Sequence, residues 1–88
     1  MLKLGIITLT YKKMIVVHNI EAVSFEENLI CLQIDGELIK LPISKVSKKL
    51  ELATDIQRNL FTISPSGYGI HWPLLDEDLS VDFLIKVA

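Results

Sequence analysis

The sequence predicts a single α+β domain, and three observations carry that prediction. "LICLQIDGELIKLPI", Leu29 to Ile43, places an Asp-Gly pair between two runs of alternating apolar residues. From Ser44 the apolar spacing changes from every second residue to helical intervals, and at Thr54 the tetrapeptide "TDIQ" has the form of a capping box. The expected architecture is a small antiparallel meander with one helix plus a short helical turn packed on it, followed by a short C-terminal helix.

Each element has its own local reason. "NIEAVSF", "EEN" and "LICLQI" read in order as strand, polar turn and strand. Asp35 and Gly36 both tolerate positive φ, so they close a type I′ hairpin onto the third strand. Pro42 ends that strand because it has no N–H to donate to a central ladder. Val46, Leu50 and Ala53 then recur at helical spacing, with Lys45, Lys48, Lys49 and Glu51 at the polar positions. In the capping box the Thr54 hydroxyl and the Gln57 side chain satisfy each other's free backbone N–H groups, which starts a second helical turn. "NLFTIS" reads as a further strand and "SPSGYG" as turn chemistry, with one or two strands expected in this half. Ser80 is a natural cap for a last helix from Val81 to about Lys86, burying Phe83 and Leu84.

Length and composition bound what such a domain does. A chain of 88 residues is one domain that buries about two-thirds of its unfolded surface. Half of its residues are hydrophobic and the mean hydropathy is +0.42, so apolar surface is expected to be left for a homodimer or higher oligomer, or for a permanent partner. Lys3, Lys12 and Lys13 interrupt the apolar N-terminus, so no run reaches the roughly 18 residues of a membrane span. Nor does that N-terminus have the order of a signal peptide. The single cysteine, Cys31, cannot form an internal disulfide, which fits a cytoplasmic protein. A net charge of -2 and a pI near 5.6 argue against binding a nucleic-acid backbone, which needs clustered basic surface. The lysines of "SKVSKK" read as a solvated helix face.

The most distinctive stretch is "GYGIHWPLLDEDLSVDFL", Gly67 to Leu84, with the only tryptophan, one of two histidines and four carboxylates. Asp76, Asp78, Ser80 and Asp82 alternate as the first ligands of a calcium loop do. However, Val81 stands where that loop needs glycine and Val87 where it needs a bidentate glutamate, so no metal or other cofactor is expected. An Asp76- or Asp78-oriented His71 lacks a nucleophile. Cys31 lies in an apolar strand where its thiol is inert, and Ser64, Ser66 and Ser80 lack a glycine-flanked elbow. His18 has no metal-ligand partner at a useful spacing. No catalytic residue is assigned and no enzymatic activity is expected. Trp72 is read as a plug for the sheet end, with Arg58 free to fork onto Asp76 or Asp78 or to meet a partner's carboxylate.

From about Met14 to Ala88 the chain resembles the bacterial domain-of-unknown-function family 2442. The resemblance rests on the "IDGELIKLPIS" hairpin, the "ATDIQRNLFTIS" segment and "GYGIHWPLLDEDLSV". It implies a small α+β domain found alone or beside a helix-turn-helix DNA-binding domain, with no enzymatic activity attached. It also implies that stand-alone members are often encoded next to a second small protein, in an arrangement like a toxin–antitoxin pair. This chain shows no helix-turn-helix segment, so direct DNA reading is not expected. Residues 14–88 are taken as the domain, and residues 1–13 as upstream sequence or an extra strand. The expected function is a non-catalytic protein-binding module, antitoxin-like in partnership with a small neighbouring protein. The alternative is a regulatory or small-ligand-sensing domain. The expected contact residues are Tyr68, His71, Trp72, Asp76, Glu77, Asp78 and Arg58.

Overall fold

Alternating apolar residues pair into antiparallel strands because every second side chain can then face one core. In the computed structural model, which describes residues 17–88, β1 (Ile20–Glu26), β2 (Leu29–Ile34) and β3 (Glu37–Pro42) form a meander in that order. The expected N-terminal extension and the start at Met14 lie outside the described residues. Val23, Leu32 and Ile39 align across the sheet, as do Phe25, Ile30 and Leu41. The Asp35-Gly36 turn is as expected, with φ of 52° and 84° joining Ile34 to Glu37. On the other face Lys40 reaches Glu26 at 3.3 Å. These two residues stand on the outer strands, so their pair spans β2, on whose outer side Cys31 is buried.

The expected amphipathic helix is two single turns, α1 (Ile43–Val46) and α2 (Lys48–Glu51). Ser47 divides them: its backbone is extended, its N–H donates to the Ile43 carbonyl, and its Oγ accepts the N–H of Leu50. A serine hydroxyl competes with helical hydrogen bonding. Here Glu77, thirty positions away, holds the hydroxyl, which donates a hydrogen bond to its carboxylate. The apolar spacing survives the break, and Val46 and Leu50 both reach the core. The α3 turn (Asp55–Arg58) begins with the complete Thr54–Gln57 capping box.

The C-terminal half adds a second antiparallel sheet, β4 (Thr62–Ile63), β5 (Gly69–Trp72) and β6 (Glu77–Ser80), in that order. The acidic residues are therefore divided between a bend and a strand. Asp76 occupies the bend with φ of 51°, while Glu77 and Asp78 belong to a strand paired with Trp72 and His71. Ser80 caps α4 (Val81–Val87) by accepting the Phe83 N–H at 3.1 Å. That helix buries Val81 and Leu84, whereas Phe83, expected inside, is 38% exposed. Residues 81 and 84 share one side of the helix, and residue 83 lies off it. One core cluster joins both sheets and the helical turns, with Trp72, Ile30, Leu32, Leu50 and Leu84 fully buried within it.

Candidate functional site

The outer face of the second sheet is built from small and hydroxylic residues. Along β5, Ile70 and Trp72 point to the core, so Gly69 and His71 take the opposite face. Register then sets Ser80 beside Gly69, and Asp78 and Thr62 on either side of His71. The His71 Nδ1–H donates to Asp78 Oδ1 at 2.7 Å, which fixes the carboxylate and leaves the imidazole Nε2 turned away from it. Gly69 leaves the face hollow, and a Cβ there would lie only 3.0 Å from the Leu79 carbonyl oxygen.

Two aromatic side chains wall this hollow. Tyr68 comes from the β4–β5 loop, where Ser64 Oγ accepts the N–H groups of Tyr68 and Gly69 at 2.8 and 3.0 Å. Gly67 in the same loop has φ of 69°, and a Cβ on it would collide with the His18 carbonyl, so the tight path requires glycine. Phe83 comes from the first turn of α4. The result is an open groove of about 630 Å³ whose lining includes Thr62, Ser64, Tyr68, His71, Asp78, Ser80 and Phe83. Among the described residues its lining holds one carboxylate, one imidazole and no lysine or arginine.

Of the residues expected to make contact, the structure gathers Tyr68, His71 and Asp78 in this groove and sends the others elsewhere. Trp72 is fully buried, which removes it from any contact face. Its ring meets Phe25 edge-on at 6.5 Å and Phe61 at 6.0 Å, and its Nε1–H donates to the Arg58 carbonyl at 2.9 Å. Arg58 pairs with neither Asp76 nor Asp78. Its guanidinium donates to the carbonyls of Leu50, Glu51 and Glu27 at 3.0, 3.1 and 3.1 Å and lies 5.6 Å from the Phe25 ring centre. Glu77 is engaged with Ser47, and the Asp76 carbonyl accepts from Lys49 Nζ at 3.0 Å. Thr62, Ser64, Ser80 and Phe83 were not expected in the site. The alternation of β6 points to Ser80 once β6 is known to be a strand, whereas Thr62 of β4, Ser64 of the loop after it and Phe83 of α4 are brought there by tertiary packing.

A second polar cluster joins the two sheets. His18 Nδ1 donates to Asp35 at 2.8 Å and Nε2 to Asp82 at 3.3 Å, while its backbone N–H donates to Ser66. The Asp35 hydrogen bond, opposed by burial and helped by Asp82, raises the His18 pKa above its ordinary 6.5. The same bond, with the Asn19 N–H, holds Asp35 below 3.8. A raised histidine stabilises fully below its unfolded pKa and loses that contribution as pH climbs through the folded one. A lowered aspartate contributes above its unfolded pKa and fails as pH falls through its folded value. Both act together between 3.8 and 6.5. The melting temperature at about pH 5.5 should therefore exceed that at about pH 8.5, by a modest amount because Asp35 is half exposed. In His18→Gln the difference should shrink, and a wild-type melting curve unchanged between these pH values would refute the assignment.

Among the described residues no group of three His, Cys, Asp or Glu side chains is placed to hold a metal ion, and no helix is long and apolar enough to cross a membrane. The family model described as "Protein of unknown function (DUF2442)" matches residues 20–88, starting at the first residue of β1. A crystal structure of a protein of unknown function from Rhodospirillum rubrum ATCC 11170 is similar to this fold, with a TM-score of 0.64 and 26% identity over 78% of this chain and 86% of that one. No curated protein matches the chain.

Proposed function

The chain belongs to the DUF2442 family of proteins of unknown function, and from its own surface we propose that it is a non-catalytic protein-binding module. The observation that carries this reading is the open groove on the second sheet, with Tyr68 62% and Phe83 38% exposed at its walls. Exposed aromatics beside a floor that mixes the hydroxyls of Thr62, Ser64 and Ser80 with the apolar Val46, Ile70 and Leu79 suit a protein interface, where tyrosine-type anchors are ringed by polar groups. A small-molecule site would enclose its ligand more fully. The partner we favour is a small protein encoded nearby, in an antitoxin-like arrangement, with the buried unpaired thiol of Cys31 fitting a cytoplasmic setting. His71 is held by Asp78 at the groove floor, where its imidazole offers a polar contact to a bound partner.

A second reading, sensing of a small ligand, draws on the convergence of Thr62, Ser64, Ser80 and His71 in the same groove. Pull-down from the source cell separates the two. Wild-type protein should retain a stoichiometric small protein, and Tyr68→Ala with Phe83→Ala should lose it while the domain stays folded. Retention unaffected by both changes would remove the groove from the interface. A groove that binds metabolites but no protein would favour the sensing reading.

A further inference from the structure

Resting on the reading of the groove as a protein-binding face, we propose that it receives an arginine side chain from an extended segment of the partner. Charge complementarity is the first ground. Among the described residues that line the groove Asp78 is the one carboxylate, its side chain is 76% exposed, and none is a lysine or arginine that would compete for it. Position is the second. His71 Nδ1 occupies Asp78 Oδ1, and Oδ2 has no hydrogen-bond partner among the described residues, so a carboxylate held at one oxygen keeps the other for an incoming donor. The third ground is the pair of aromatic walls, Tyr68 and Phe83. A guanidinium is planar and weakly hydrated, stacks on aromatic faces and forks onto a carboxylate, which an ammonium does less well. The hydroxyls of Thr62 and Ser80 add acceptors for its remaining N–H groups. The cavity, about 630 Å³, exceeds one side chain and leaves room for flanking backbone.

Amide-resolved NMR titration tests this with three blocked pentapeptides that differ at the central residue: arginine, its neutral isostere citrulline, and glutamate. The arginine peptide should shift the amides of Gly69, His71, Asp78 and Ser80, and citrulline should bind at least about tenfold more weakly, the scale of one charged contact. Asp78→Asn, on an exposed side chain that the core does not need, should weaken the arginine peptide to the citrulline level. Tyr68→Ala should weaken both peptides. Citrulline or glutamate binding as tightly as arginine, or Asp78→Asn without effect, would overturn the charge rule while leaving the groove a binding face. Absence of any shift with all three peptides would also overturn it. If partner capture were then still lost in the Tyr68 and Phe83 variants, the binding-module reading would survive alone. If capture were unchanged, both would fall.

Discussion

Trp72→Ala is expected to destabilise the domain by about 3–5 kcal/mol, the usual cost of emptying the site of a large buried aromatic. Trp72 is fully buried between Phe25 of the first sheet and Phe61 ahead of the second, so its removal leaves a cavity where the two sheets meet. The indole N–H also satisfies the Arg58 carbonyl, which the truncation leaves without its partner. A domain of this size holds roughly 5–10 kcal/mol in all, so the variant should melt close to ambient temperature. Trp72→Phe keeps most of the volume and should cost less, about 1–2 kcal/mol, chiefly for the lost hydrogen bond. Urea unfolding followed by far-ultraviolet circular dichroism measures both. An alanine variant within about 1 kcal/mol of wild type would mean that Trp72 does not join the sheets.

The second large effect is expected at Arg58. Arg58→Ala should cost about 2–3 kcal/mol, since three backbone carbonyls lose a charged donor at once and the Phe25 ring loses its cation. Those carbonyls belong to Leu50 and Glu51 at the end of α2 and to Glu27 in the β1–β2 turn. The guanidinium thus ties the helical turns to the first hairpin. Glu27 has φ of 50°, an unfavourable conformation for a side-chain-bearing residue, so the turn depends on such support. Arg58→Lys should restore little, because an ammonium cannot reach three separated carbonyls with one planar fork. Equal stability of the lysine variant and wild type, measured by the same unfolding, would show that charge alone suffices.

Most of the elements were legible in the residues themselves, and the structure brings three of the seven expected contact residues into one groove. Tyr68, His71 and Asp78 share the groove, and each drew notice as an aromatic or titratable residue in a dense polar stretch. Trp72 drew the same notice and went to the core, consistent with its expected role as a plug and not with contact. Arg58 was expected to meet a carboxylate and met carbonyls instead, because the end of α2 and the β1–β2 turn present three of them within its reach. Phe83 was expected inside, but the cap at Ser80 sets the phase of α4 so that Val81 and Leu84 take the core side.

What the sequence by itself determined are the features whose partners lie within about four residues. The Asp35-Gly36 turn, the Thr54–Gln57 capping box and the Ser80 cap all follow from the side chain and φ preferences of adjacent residues. The tertiary structure alone decided the features whose partners are distant. Ser47 splits the predicted helix because Glu77 anchors its hydroxyl across a separation of 30 residues, and Arg58 reaches the Glu27 carbonyl across 31. The acidic residues Glu77 and Asp78 form a strand, against their weak strand propensity, because pairing with β5 places Leu79 beside Ile70 in the core. The groove exists only because that register sets Asp78 next to His71 and Ser80 next to Gly69. Local hydrogen bonds close with little loss of chain entropy and can be read from a few letters. Burial is shared among residues far apart in the chain, and it is the shared burial that selects which distant side chains meet.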